Sequence, residues 1–117
     1  NSLEKMISLG LKADFDFLWK ELGEIIAEFT SNYDRQFDKL LQRLPRATYK
    51  NINPAILIAG GIAAYHDTKF KMLYPYEDVV EVLKRLTQTH LILGVISDGL
   101  ALKQAEKVVR LGVVDYF

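Results

Sequence analysis

The chain has 117 residues, half of them apolar and about a quarter charged, which is the composition of an ordinary globular domain. Fifteen basic residues balance fifteen acidic ones, so the composition excludes a general attraction to nucleic acid or to an anionic membrane. The absence of cysteine excludes disulfides and thiolate metal sites, and it fits a cytoplasmic location. No apolar stretch approaches the roughly 20 residues that a membrane-spanning helix needs.

The first two-thirds of the chain repeats apolar residues at spacings of three and four, which predicts amphipathic helices. A short helix from Ser2 to Leu9 is expected to end at Gly10, because glycine is typical of a helix C-terminus. Asp14 is expected to cap the second helix. The apolar stripe of that helix is Phe15, Leu18, Trp19, Leu22, Ile25, Ile26 and Phe29.

A third helix is expected after Ser31 and Asn32, which offer a break and a new cap, and it must end at Pro45. Pro54 then suits the first turn of a fourth helix, which continues to about Phe70.

Gly60 and Gly61 lie inside the fourth predicted helix, where each costs about 1 kcal/mol relative to alanine. They therefore indicate close helix packing or a kink. Helices joined by short loops predict an antiparallel bundle, with a core that includes Trp19, Ile25, Phe37 and Leu41.

The character of the chain changes at Tyr74-Pro75-Tyr76. Glu77 and Asp78 fit the first turn of a fifth helix, and Lys84 and Arg85 fit its last turn, because this arrangement complements the helix dipole. The predicted buried face of that helix is Val79, Val80, Val82, Leu83 and Leu86.

The unbroken apolar run Leu91–Ile96 predicts a parallel β-strand that is covered on both faces. It is followed by the small polar turn Ser97-Asp98-Gly99 and by a helix to Leu111, with Gly112 after its end. The fold class is therefore α/β: a helical bundle plus part of a doubly wound, Rossmann-like sheet. A single strand needs neighbours, and an unpaired edge would favour association with another chain.

Ser97 follows the predicted strand directly, at the end where open α/β sheets bind ligands. Its hydroxyl, together with the amides of Asp98, Gly99 and Leu100 at the start of the next helix, would suit a phosphate oxygen. The alternative is that Ser97 or Asp98 only caps the helix.

Four segments together carry a family resemblance: Leu73–Leu86, Leu91–Gly99, Gln104 and Leu111–Phe117. They resemble the haloacid dehalogenase superfamily, in the subfamily with a helical cap, and are similar to archaeal members described as phosphatases or dehalogenase-like hydrolases. The resemblance is close over residues 73–117, and it implies that they form part of the α/β core. Residues 1–72 fit the helical cap in position and pattern.

This resemblance implies a role for the turn. Ser97 matches the Thr or Ser of the family's second motif, which hydrogen-bonds the transferring phosphoryl group, and Asp98 and Gly99 match the loop that helps to hold it. The implied parent is a Mg²⁺-dependent phosphatase of a small phosphorylated metabolite, acting through an aspartyl-phosphate. A 2-haloacid dehalogenase parent is the alternative within the family.

The family's catalytic aspartate motif, its lysine and its acidic metal-binding pair do not occur in the sequence. Asp14 and Asp16 have the spacing of the aspartate motif, but they open a helix and are interpreted as cap and surface residues. Neither end has the character of a natural terminus and no signal peptide is expected, so the chain is interpreted as a fragment. We expect it alone to be inactive and to bind no metal.

His66 and Lys69, on the fourth helix, are candidates for contact with the substrate from the cap. The alternatives are a half-exposed helical histidine and a solvated surface lysine. Two histidines, His66 and His90, do not make a metal site. A different class of protein, an autonomous helical interaction module without catalysis, is the alternative if the 117 residues are the whole gene product.

Overall fold

The computed structural model describes residues 1–30 and 32–117, and these divide into two compact units, Asn1–Thr68 and Lys69–Phe117. The α-helices of the described residues are α1 (Ser2–Ser8), α2 (Phe15–Phe29), α3 (Gln36–Arg43), α4 (Pro54–Met72), α5 (Val79–Thr87) and α6 (Ala101–Arg110). Short 3₁₀ turns lie at Arg46–Thr48 and Val114–Tyr116. Across both described ranges, no helix has the length and apolar content that crossing a membrane requires.

Most of the predicted helix ends are confirmed. The Asp14 carboxylate accepts a hydrogen bond from the Phe17 backbone N–H at 3.1 Å and so caps α2. Gly10 follows α1 with a positive φ of 109°, a conformation that glycine adopts without strain. Pro54 is the first residue of α4, as predicted, and Pro45 lies just beyond α3.

The predicted start of the third helix is wrong. That helix begins at Gln36, with Arg35 at its N-cap position and no side-chain cap among the described residues, so Asn32 does not cap it. Ser31, the other residue of the predicted break, lies outside the described residues.

The hydrophobic core of the first unit is built from one face of each helix and from the loops between them. Each fully buried leucine of this core stabilises the fold by roughly 1.5–3 kcal/mol relative to an exposed side chain. The buried members are Leu3, Met6, Leu11, Leu18, Leu22, Ile25, Phe37, Leu40, Leu41, Leu44 and Leu57.

The prediction that Trp19 belongs to this core is wrong, since its side chain is 60% exposed. The buried residues of α2 are Leu18, Leu22 and Ile25, at spacings of four and three. Trp19 is one residue further along, so it points about 100° around the helix from Leu18. Its ring stacks instead on Phe15, with centroids 6.3 Å apart. The other predicted core residues, Ile25, Phe37 and Leu41, are buried.

The two glycines inside α4 allow close packing against α1 and the residue that ends it. A Cβ on Gly60 would overlap the Leu9 side chain, and a Cβ on Gly61 would lie 3.1 Å from Met6 Sδ and 3.4 Å from Phe37 Cδ2. The helix remains continuous from Pro54 to Met72. Close packing, the first of the two predicted explanations, therefore accounts for the glycines.

The second unit contains the end of α4, then α5, an irregular segment and α6. The predicted strand Leu91–Ile96 is not seen, since none of the described residues forms a β-strand. Strand assignment requires ladder hydrogen bonds with a neighbour, and the described residues provide no such neighbour. Ile92 and Ile96 are consequently fully exposed. The Rossmann-like sheet, and with it a sheet edge open to association, is not seen here.

Helix α5 begins later than predicted, so Glu77 and Asp78 form a turn ahead of it. Lys84 and Arg85 lie in its last turn, as predicted. Within the second unit, the predicted apolar face is only half-buried, and Val82 is exposed.

Candidate functional site

A surface pocket of about 340 Å³ lies in the second unit, at the end of the apolar run and against α6. Ser97 and Val95 line it from the run and the turn, and the remaining lining residues are Gln104, Ala105, Lys107 and Val108 of α6. The residue that sequence analysis singled out for phosphate binding therefore opens onto a cavity.

The Ser97 hydroxyl is bonded to a side chain of α6 and not to the backbone at the start of that helix. Its Oγ donates to Oε1 of Gln104 at 3.1 Å. Leu100 is the N-cap residue of α6, and no side chain among the described residues caps that end. The alternative in which Ser97 or Asp98 serves as the helix cap is therefore wrong.

Gln104 connects Ser97 to a lysine that sequence analysis missed. Lys107 Nζ donates to the same Oε1 atom of Gln104, also at 3.1 Å. The two residues are three apart on α6 and so share a face of the helix. The pocket thus combines a hydroxyl, an amide and an ammonium group, which suits an anion.

Gly99 allows the turn to approach this group closely. Its φ is +109°, in the region that favours glycine. A Cβ at this position would lie 2.8 Å from Nε2 of Gln104. Asp98, between Ser97 and Gly99, is exposed. Any larger residue at position 99 would both strain the backbone and displace the Gln104 amide.

The two weaker candidates occupy different surroundings. His66 is exposed, and its ring contacts the edge of Tyr65 with centroids 5.6 Å apart. Lys69 Nζ lies 3.7 Å from Oε2 of Glu106, so its charge is already paired. Neither residue lines the pocket at Ser97.

Glu106 does not line the pocket and belongs to an ionic cluster with Arg110 and Lys69. Its carboxylate accepts a hydrogen bond from Arg110 Nε at 2.9 Å. That hydrogen bond is the main reason why the pKa of Glu106 lies below its ordinary value, and the Lys69 ammonium lowers it further.

The described residues do not fit a resident metal ion. Within residues 1–30 and 32–117, no group of three or more His, Cys, Asp or Glu side chains is placed to hold one, whereas hard cations need several oxygen ligands. Asp14 is engaged as the cap of α2, and Asp16 is exposed in its first turn.

Comparison with known proteins identifies relatives over the whole chain. A family model described as haloacid dehalogenase-like hydrolase matches residues 15–117. The chain is 40% identical over 119 aligned positions to a protein named glyceraldehyde 3-phosphate phosphatase from Methanopyrus kandleri, a match that covers all of this chain and 49% of that protein.

Two further proteins of that name, from Pyrococcus abyssi and Pyrococcus furiosus, are 41% and 40% identical over 117 residues. Each match covers all of this chain and 47% of the relative. The chain therefore spans about half the length of the curated relatives it matches. Because the family model takes in nearly the whole chain, including the turn and the α6 residues that form the pocket, the chain belongs to the haloacid dehalogenase-like hydrolases.

Proposed function

We propose that the chain is the phosphate-holding part of a phosphatase that acts on a small phosphorylated metabolite. Ser97 would donate a hydrogen bond to a phosphoryl oxygen, with the backbone of Asp98 and Gly99 beside it. The observation that carries the proposal is that Ser97 and Lys107 line the same pocket and both donate to Oε1 of Gln104. An anion is the ligand that such a set of donors favours.

The relatives support a phosphatase over the alternatives. The relatives from Methanopyrus and Pyrococcus are named glyceraldehyde 3-phosphate phosphatase, so this triose phosphate is the first substrate to test. A 2-haloacid dehalogenase has no such support. The helical interaction module is disfavoured as well, because the family model extends across both units of the chain.

Family membership places the chain in the α/β class, and it supports three further proposals. Residues 1–72 would be a helical cap that selects the substrate and excludes water, with His66 and Lys69 as its candidate contacts. Residues 73–117 would be part of the core, where Leu91–Ile96 pairs with strands of the complete protein. Mg²⁺ would assist an aspartyl-phosphate mechanism, using carboxylates from outside this chain.

The test of the phosphate site is Ser97→Ala in the complete protein, with Ser97→Thr as the matched control. Removing one hydrogen-bond donor at a developing oxyanion typically lowers turnover by roughly 10²–10³-fold. We expect a loss of that order for alanine, whereas threonine retains the hydroxyl and most of the turnover. Because Ser97 caps no helix, alanine should lower the free energy of unfolding by no more than the loss of one hydrogen bond, about 1 kcal/mol. The melting temperature would report this small change.

Phosphate release from glyceraldehyde 3-phosphate and from other small phosphate esters would be compared with halide release from a 2-haloacid. Equal turnover by Ser97→Ala and the unsubstituted protein would contradict the site assignment. Release of halide without any release of phosphate would contradict the phosphatase assignment.

A further inference from the structure

The hydrogen bonds around Gln104 determine which way its side-chain amide faces. An ammonium group can only donate, so Lys107 Nζ requires the oxygen of the amide and not its nitrogen. The same oxygen then faces Ser97 Oγ at 3.1 Å, and the amide nitrogen faces Gly99. Lys107 thereby fixes Gln104 as an acceptor toward Ser97.

This orientation has a consequence for the serine hydroxyl, which has a single proton to donate. While Gln104 accepts that proton, Ser97 cannot donate it to a phosphoryl oxygen. A bound phosphoryl group must therefore displace Gln104 as the acceptor. The ammonium of Lys107 shares the same amide oxygen, which weakens the hold of that oxygen on the serine and makes the displacement easier.

We propose that Gln104 is a positioning residue for Ser97, an inference that rests on the proposed phosphatase function. It holds the hydroxyl in one orientation beside the pocket until a phosphoryl oxygen replaces it as the acceptor of the serine hydrogen bond. Lys107 sets the amide, and Gly99 leaves the space that the amide occupies. The role is to orient Ser97, and Gln104 itself makes no bond to the substrate.

The test is a double-mutant cycle in the complete protein, with Gln104→Met and Ser97→Ala made separately and together. Without the Gln104 amide beside it, the Ser97 side chain can turn to its other staggered rotamers, so kcat is expected to fall by roughly threefold. If Gln104 acts through Ser97, that loss occurs only while the serine is present. In the Ser97→Ala background, Gln104→Met should leave kcat unchanged.

Lys103→Ala is the matched control, because Lys103 is an exposed residue on the same helix, next to Gln104. It should leave kcat unchanged in both backgrounds. Gln104→Ala provides the same cycle if the methionine variant does not fold, since alanine is favourable in a helix.

The outcomes separate the two proposals. If Ser97→Ala alone leaves kcat unchanged, the phosphate site itself is wrong. If Ser97→Ala lowers kcat, but Gln104→Met has no effect or has the same effect in both backgrounds, the phosphate site stands and the positioning role of Gln104 is overturned.

Discussion

The guanidinium carbon of Arg110 lies 3.3 Å from the centre of the Phe70 ring. The same side chain donates a hydrogen bond to Glu106, whose other oxygen lies 3.7 Å from Lys69 Nζ. A cation over an aromatic face contributes roughly 0.5–1 kcal/mol at an exposed site. Within the second unit, these contacts join the last turns of α4 to α6.

The first prediction follows from the hydrogen bond between Arg110 and Glu106. Since it is the main cause of the lowered pKa of Glu106, Arg110→Met should raise that pKa toward its ordinary value. A carboxyl group whose pKa is lower in the folded state stabilises the fold above its unfolded pKa, and this contribution is lost as the pH falls through the folded pKa. In Arg110→Met, stability should therefore depend less on pH in the acidic range.

The measurement is an NMR titration of the Glu106 carboxyl carbon, together with melting temperatures across the same pH range. Arg85→Met is the control, because Arg85 pairs with Glu81 on α5 and not with Glu106. An unchanged Glu106 titration in Arg110→Met would show that another interaction lowers the pKa.

The second prediction concerns Arg43 of α3, which bridges to three carboxylates on α2. Its guanidinium lies 3.8 Å from Glu21 and from Glu24, and it also bonds Glu28. Exposed ion pairs contribute little singly, but removal of Arg43 leaves three like charges along one side of α2. Arg43→Met should therefore lower stability by about 1 kcal/mol at low salt, and by less at 1 M salt, where charges are screened within roughly 3 Å.

Urea unfolding at the two salt concentrations would measure this effect. Arg35→Met is the control, since Arg35 pairs with Asp38 within its own helical turn, and we expect no change in the unfolding midpoint. A loss in Arg43→Met that is independent of salt would indicate packing of the arginine stem and contradict the electrostatic explanation.

The third prediction compares two adjacent residues of α2. Leu18 is completely buried, whereas Trp19 is mostly exposed. Leu18→Ala should destabilise the first unit by about 2–5 kcal/mol, the range for truncation of a core leucine. Trp19→Gln should cost less than about 1 kcal/mol, as surface substitutions usually do. Thermal unfolding followed by circular dichroism would decide, and a larger loss for Trp19→Gln than for Leu18→Ala would contradict this packing of α2.

The fourth prediction uses two glycines within helices. Gly61 is buried, with Met6 and Phe37 close to the position of its absent Cβ, so Gly61→Val should overpack the core at a cost of about 1–3 kcal/mol. A Cβ on Gly23 would meet nothing within 4 Å, so Gly23→Ala should gain up to about 1 kcal/mol from helix propensity alone. Melting temperatures that move in the same direction for both variants would contradict the difference in packing around the two glycines.

Local signals made much of the helical unit predictable. Asp14, Gly10 and Pro54 act through their own turn of backbone, so their effect does not depend on what packs nearby. Trp19 could not be placed in this way, because the apolar stripe of α2 is wide enough to offer two faces. The neighbouring helices select the face with Leu18, and the sequence pattern of α2 carries no information about where those helices lie.

The predicted strand and part of the candidate site depend on interactions that reach beyond a single predicted element. Leu91–Ile96 has the composition of a buried strand, but a strand forms only with partners, and periodicity cannot supply them. Ser97 could be found from the preceding run and the family resemblance. Lys107 could not, because a lysine on an amphipathic helix gives no signal until the turn at Gly99 brings Ser97 beside Gln104.

The core of the first unit, from Leu3 to Leu57, is built from one continuous stretch of chain. Contacts between residues close in sequence form quickly, because little loop entropy is lost before they are made. During synthesis, this stretch can complete its core as soon as it has left the ribosome, since domains fold as units from the N-terminal side. In the proposed α/β core, Leu91–Ile96 would instead pair with strands that are remote in sequence, so we expect this pairing to limit the rate at which the complete protein folds.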